Sequence, residues 1–151
     1  MSSFFNIDND ILTFIKNNYN TYLDEVEINI QKPNGYYNDI PTAFPANQII
    51  LYVYADTIEF EEFTNESKQL KQTITIMIVF NNIQKSGVDI TILLKKYAEA
   101  LYNLINENNT FNSIVDITKI NTISFLNQSA MDSSAQNLRM INAEIQIIKE
   151  I

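Results

Sequence analysis

The residues best suited to chemistry in this sequence are carboxylates that cluster in one polar stretch. Glu59, Glu61 and Glu62 stand close together, with Asp56 before them and Glu66 after them. Oxygen ligands at such spacing could in principle hold Mg²⁺ or Ca²⁺. The stretch lies between two strand patterns, however, and acidic side chains at a hairpin tip are typical of a solvated edge that resists aggregation. We therefore expect a charged hairpin end here and no metal site.

Other reactive residues are few. The chain has no Cys and no His, which excludes a zinc site built on them, a thiol nucleophile and a histidine general base. Gly35 and Gly87 stand far apart, so no Gly-rich loop can cradle a phosphate. The Asp-Asn-Asp at residues 8–10 resembles the start of a calcium loop, but the Gly and distal Glu of such a loop are missing, and helix capping explains it better. The sequence predicts no catalytic residue, no cofactor and no metal.

Composition and charge favour a folded, soluble domain and argue against a protein that binds nucleic acid tightly. The 151 residues are 46% hydrophobic, which suits one domain with a buried core and argues against disorder. The longest apolar runs are shorter than a bilayer span, and no charged-then-apolar leader opens the chain. We therefore expect a soluble protein that resides, at least at first, in a cytoplasm. The chain has 10 Lys and Arg and 18 Asp and Glu, which gives a net charge of −8. This balance argues against tight nucleic-acid binding and suits a surface to which DNA does not stick.

Hydrophobic periodicity predicts two helices. Apolar side chains recur at three- and four-residue spacing over residues 7–22, and again over residues 85–109. Ser86 and Asp89 provide a start for the second helix that resembles a capping box.

Alternation of apolar and polar residues predicts five strands. They are residues 25–30, 47–55, 71–82, 114–127 and 139–147. The second strand is apolar on both faces, so we expect it at the centre of the sheet or against a neighbouring subunit. The second and third strands should pair as an antiparallel hairpin. Between the first and second strands, the Pro-containing residues 31–46 predict a turn-rich connection.

The order α-β-β-β-α-β-β predicts a single α+β domain over residues 1–151. In this fold class, two main helices pack on one face of a largely antiparallel, or mixed, β-sheet of four to five strands.

Three linked segments resemble the tail terminator, or tail completion, proteins of tailed bacteriophages. An N-terminal helix leads into a strand and then into a Pro-containing connection, "PTAFPANQIILYVY". The alternating strand "KQTITIMIVFNN" precedes a helix with "KKYAEALYNLINENNTF". The closing stretch "ITKINTISFLNQSAMDSSAQNLRMINAEIQI" has a strand, a Ser-rich turn with an acidic residue, and an Arg before the last strand. The resemblance covers roughly residues 5–149.

This resemblance implies a structural virion protein and no enzyme. Such proteins form a ring, six-fold in that family, that caps the tail tube, ends tube polymerisation and joins the tail to the head-side connector. The implied partners are further copies of this chain, the tail tube protein and the connector or stopper protein. DNA would pass without sequence-specific contact, and no membrane would be involved. The implied location is the virion tail or neck, assembled in the cytoplasm of a bacterial host.

Two groups of residues are the interface and lumen candidates in such a ring. We expect the acidic hairpin near the lumen or the tube-facing rim, where negative charge repels phosphate. We expect the polar residues 128–134, with the Arg that follows them, to form either a loop that touches a neighbour or the tube, or an ordinary hairpin loop. The candidates are Asp56, Glu59, Glu61, Glu62, Glu66, Gln128, Ser129, Met131, Asp132, Ser133, Ser134 and Arg139. The face of residues 49–54 with Met77 and Val79 is a further candidate for subunit contact.

Two other interpretations stay open at this point. One is a different virion part, such as a connector, stopper or baseplate protein, which would not control where the tube ends. The other is a small cytoplasmic ligand-binding domain or a carboxylate-based enzyme, which predicts a deep pocket with convergent acidic groups.

Overall fold

The structure is a computed structural model that describes residues 4–62, 68–81, 83, 90–128 and 138–151. These residues form two α-helices and five strands in the predicted order α-β-β-β-α-β-β, an α+β fold. The elements are a short 3-10 helix (Phe4–Asn6), α1 (Ile7–Val26), β1 (Gly35–Tyr37), β2 (Ile49–Glu62), β3 (Lys68–Asn81), α2 (Ile90–Glu107), β4 (Ile117–Gln128) and β5 (Leu138–Glu150). Neither helix is long and apolar enough to cross a bilayer.

The five strands form one mixed sheet in the order β1-β2-β3-β5-β4. β1 runs parallel to β2, and the remaining pairs are antiparallel. β5 therefore lies between β3 and β4, although it follows β4 in the chain. β2 and β3 pair from Ile49 opposite Phe80 to Glu62 opposite Lys68, with a bulge after Ala55.

Both helices pack on one face of this sheet, which buries the main core. The alternating residues of β3 and β5, such as Ile76 and Ile145, point to this side and are fully buried. Tyr19 of α1 and Tyr97 of α2 are also fully buried. The Tyr19 hydroxyl donates to the backbone carbonyl of Tyr97 at 2.7 Å, and the Tyr97 ring meets the edge of Phe80 at 5.0 Å. This contact ties both helices to the centre of the sheet.

The strand predicted for residues 25–30 is wrong. The helical spacing continues through Val26, and the Glu27 N–H closes the last turn on the carbonyl of Leu23 at 3.0 Å. Ile28 is 79% exposed, and Asn29 has a φ of 65°, a left-handed conformation that Asn tolerates. Val26, Ile28 and Ile30 alternate with polar residues, but the last turn of α1 and the bend after it accommodate this pattern without a strand.

The first strand of the sheet lies instead in the connection predicted to be turn-rich. β1 is only three residues long. Asn34, the residue just before it, is bound to Ile49 at the start of β2 by two hydrogen bonds. The Asn34 N–H donates to the Ile49 carbonyl at 2.6 Å, and the Asn34 side-chain oxygen accepts from the Ile49 N–H at 2.9 Å.

The helix-free face of the sheet has a small core of its own. It consists of Ile50, Tyr52, Val79, Leu138 and Met140, with Phe44 and Met77 packed against it. The connection before β2 covers it, because Asn81 donates to the Phe44 carbonyl at 2.8 Å. Much of the face that the sequence suggested for subunit contact is therefore already buried within the chain.

Candidate functional site

The acidic residues singled out in the sequence lie on a long hairpin that extends past the helices. β2 is buried at its start and becomes largely exposed after the bulge that follows Ala55. We call residues 56–62 and 68–72 the hairpin end. Asp56, Glu59, Glu61 and Glu62 all lie in it, and Glu66 lies outside the described residues.

Lysines of β3 pair with two of these carboxylates. Lys71 lies 3.0 Å from Glu61, and Lys68 lies 3.5 Å from Glu62. Ion pairs as exposed as these contribute little to stability, but they lower the local charge. Four described carboxylates against two lysines leave two negative charges at the hairpin end. Within the described part of the chain, no group of three or more acidic residues is placed to hold a metal ion.

The base of the hairpin end is fixed by the N-terminal 3-10 helix. Gln72 is almost fully buried and donates its side-chain amide to the Phe4 carbonyl at 2.8 Å. The Phe4 ring meets the edge of Phe60 at 5.9 Å and lies 4.9 Å from Phe5. Phe5 is 61% exposed and Phe60 is 54% exposed. The hairpin end therefore carries an apolar aromatic surface beside its charges, which the sequence analysis did not single out.

The second predicted group lies at the opposite end of the sheet. Gln128 ends β4 opposite Leu138, and Arg139 pairs with Phe80 of β3 and Asn127 of β4. Ser129, Met131, Asp132, Ser133 and Ser134 lie outside the described residues. Because β5 runs from this end to the hairpin end over residues 138–150, the two groups are roughly 40 Å apart at the usual rise per residue. They cannot form one site.

Arg139 is half-buried beside this end of the core. Its Nε atom is buried and has no hydrogen-bond partner among the described residues. A buried guanidinium nitrogen normally has an acceptor, so Arg139 is better suited to an internal or interface contact than to a solvated surface.

The outer edge of β4 is an open surface of the sheet. β4 has twelve residues and pairs, among the described strands, with β5 alone. Phe125 is 48% exposed and Leu126 is 44% exposed. These two residues lie on opposite faces, since Phe125 pairs with Ile141 and Leu126 with Met140. The sequence signal for this edge was present, because residues 120–128 contain no charged residue and no Pro or Gly.

Two open grooves border the helices. One, of about 360 Å³, lies between α1 and the turn after α2 and is lined by Asp10, Thr13, Phe14, Asn17, Phe111, Asn112 and Ile114. The other, of about 240 Å³, lies between α2 and β4 and is lined by Tyr102, Ile105, Asn106, Asn109, Thr118 and Ile120. Asp10 is the only acidic residue among these two linings. Neither groove is the pocket of converging carboxylates that a carboxylate-based enzyme would need.

The clearest shifts in pKa are those of tyrosines that pack between the helices and the connection after α1, where their role is structural. Burial, followed by the nearby hydroxyls of Tyr97 and Tyr36, raises the pKa of Tyr19 well above its ordinary value. Burial also raises the pKa of Tyr36 to about 12. The Tyr97 hydroxyl donates to the Gln31 carbonyl, and burial is the main cause that raises its pKa. These hydroxyls join the helices and the connection that follows α1.

Comparisons with known proteins do not assign the chain to a family. The chain matches no protein-family model, and a search of curated proteins found no match. A solved structure to which the chain is weakly similar is a chain of "Virion of native gene transfer agent (GTA) particle". The two share 10% sequence identity with a TM-score of 0.42, over 99% of this chain and 100% of that one. A likeness this weak carries no argument about function.

Proposed function

We propose that this chain is a structural subunit of a phage-like virion, and that it forms the ring that ends the tail tube and joins it to the head-side connector. The observation that carries the proposal is that five of the exposed large apolar side chains lie at two margins of the sheet. Phe5 and Phe60 lie at the hairpin end, and Ile117, Phe125 and Leu126 lie on the outer strand β4. These residues lie at the margins of the sheet and line neither of the two grooves described above, a position that suits contacts with other protein subunits.

The choice of a tail terminator among virion proteins rests on the sequence. The Pro-containing connection before β2, the β3–α2 segment and the β4–β5 segment are the stretches that resemble this family. The fold agrees with the element order of that resemblance. An assembly protein of this kind acts through contacts and needs no catalytic residue.

The separation of the two candidate groups also supports a joining role. A subunit between a tube and a connector needs two contact regions that face away from each other. The hairpin end and the end with Gln128 and Arg139 are roughly 40 Å apart along β5. In our proposal, one of these ends meets the tube and the other meets the connector or a neighbouring subunit.

The hairpin end would give the ring a weakly negative lumen. In the proposed ring, its two uncompensated negative charges are repeated in every subunit, and negative charge repels the phosphates of passing DNA. The double variant Glu59→Lys with Glu62→Lys should therefore slow DNA release from assembled particles. The double variant Glu25→Lys with Glu99→Lys, at exposed sites on α1 and α2, is the matched charge control. Equal release rates for all variants would contradict a lumen position.

The test of the proposed function is electron microscopy of particles from a phage that lacks this gene, with the wild-type gene supplied in trans as the control. A terminator predicts overlong, irregular tails without heads, restored to normal by the supplied gene. Tails of normal length that fail to join heads would assign the protein to the connector side of the neck. Wholly normal virions would refute a structural role in the virion.

A further inference from the structure

The outer edge of β4 exposes a row of backbone groups that the described chain leaves unpaired. Each second residue of an edge strand directs its N–H and C=O away from the sheet. The backbone hydrogen bonds of β4 connect it to β5 within the described residues. Proteins commonly protect such an edge with Lys, Pro, a bulge or a short strand. β4 has one bulge after Ile120, and the residues beyond it carry none of the other protections.

The segment beyond that bulge also differs from the rest of the chain in charge. Residues 120–128 are uncharged, whereas the whole chain has a net charge of −8. Two copies of an acidic protein repel each other over most of their surfaces. Residues 120–128 are a stretch where two copies can approach without placing like charges opposite each other, which would destabilise a strand pair.

The side chains of this segment are complementary to a second copy of the same segment. Ile123 and Phe125 lie on the helix-bearing face, and Ser124 and Leu126 lie on the other face. In an antiparallel self-pair, residues on the same face meet across the two strands. With the two-fold axis near Ser124 or Phe125, Phe125 of one copy meets Ile123 or Phe125 of the other copy. The exposed apolar area of Phe125 and Leu126 is then covered.

We propose that the free protein forms a two-fold dimer in which β4 pairs antiparallel with β4 of a second copy along residues 122–128. The two five-stranded sheets then join into one sheet of ten strands, with the helices of both copies on the same side. Such a contact uses the same surface on both copies and closes at two, whereas a ring needs two different surfaces. The dimer is therefore a property of the free chain and does not depend on the proposed role in a virion.

The test is a charge-swap experiment on the purified full chain at Ser124, which is exposed and lies close to the two-fold axis of the proposed pair. Sedimentation equilibrium gives the mass of the wild type, of Ser124→Lys, of Ser124→Glu and of their equimolar mixture. We expect the wild type at twice the monomer mass of 17.4 kDa. Each variant alone should raise the dimer dissociation constant at least about tenfold, since like charges then meet across the two-fold axis. The mixture should regain the wild-type constant, because Lys meets Glu.

Two controls separate this effect from misfolding and from a general change of charge. Far-ultraviolet circular dichroism should be the same for all variants. Thr57→Lys places the same charge on an exposed position of β2 and should leave the dimer intact. A monomeric wild type at millimolar concentration would overturn the proposal, as would a wild-type oligomer whose mass Ser124→Lys leaves unchanged. A mixture that stays as dissociated as the single variants would also overturn it. Tail morphology is a separate readout, so this proposal and the proposed function can fail independently.

Discussion

The buried tyrosines that join the two helices predict a specific loss of stability at alkaline pH. Their hydroxyls have a raised pKa in the folded protein, whereas the ordinary value in an unfolded chain is 10.0. The unfolded chain therefore loses these protons first as the pH rises. The stability that the neutral hydroxyls contribute is fully present below pH 10 and decreases above it, through the range in which the folded protein still holds the protons.

The size of this effect follows from the number of such groups. Each hydroxyl that is neutral when folded and ionised when unfolded removes about 1.4 kcal/mol of unfolding free energy per pH unit. Tyr19 and Tyr97 are both fully buried, so together they should remove about 3 kcal/mol between pH 9 and pH 11. The variant Tyr19→Phe should lessen the alkaline decrease by about 1.4 kcal/mol, the contribution of one such hydroxyl. It also removes the hydrogen bond to the Tyr97 carbonyl, which should cost about 1 kcal/mol at neutral pH.

The assay is urea unfolding followed by circular dichroism at intervals between pH 7 and pH 11. Ile145→Val is the matched control, because trimming this fully buried side chain should cost about 1 kcal/mol equally at every pH. We expect its curve to run parallel to that of the wild type, while the curve of Tyr19→Phe converges with the wild type above pH 10. Identical slopes for the wild type and Tyr19→Phe would refute the assignment of the alkaline loss to this hydroxyl.

Three further substitutions probe other parts of the fold. Asn34→Ala removes the side-chain acceptor of the Ile49 N–H and should cost about 1 kcal/mol in urea unfolding; no loss would mean that this contact does not stabilise the entry to β2. Gln72→Leu removes the donor to the Phe4 carbonyl and also removes a side-chain oxygen that is buried without a partner among the described residues. Proteolysis within residues 4–6 should therefore speed up while global stability changes by less than about 1 kcal/mol, and unchanged cleavage would contradict the anchoring role. Ala143→Leu overfills a fully buried position of β5 and should cost about 1–3 kcal/mol, so a neutral result in urea unfolding would indicate free space beneath the helices.

The sequence predicted the elements whose hydrophobic period is long and regular. α1, α2, β3 and β5 each alternate or repeat over ten or more residues in the described structure, so the pattern outweighs local exceptions. The errors occur where the pattern is short. Residues 25–30 hold only three alternating apolar residues, and the end of α1 fits them equally well. β1 has three residues and no pattern, because its pairing with β2 and the side chain of Asn34 define it.

The candidate surfaces depended on information that a linear pattern does not contain. Carboxylates could be counted in the sequence, but the pairing of Glu61 with Lys71 depends on the register that the bulge in β2 sets. The openness of β4 follows from the insertion of β5 between β3 and β4. Nothing in the alternation of β4 distinguishes an outer strand from an inner one. The lack of charge in residues 120–128 becomes informative only once the strand order is known.

The strand order β3-β5-β4 has a consequence for how the chain folds. β4 is synthesised before β5, yet its hydrogen bonds within the described residues connect it to the sheet only through β5. The β3–β5 ladder pairs residues as far apart in sequence as Gln69 and Glu150. Contacts between such distant residues form slowly. The β2–β3 hairpin can therefore form early, while β4 has no place in the sheet until β5 has docked on β3. A chain truncated before β5 would lose two strands instead of one, and its β4 would remain a detached segment, uncharged over residues 120–128, that is prone to aggregate.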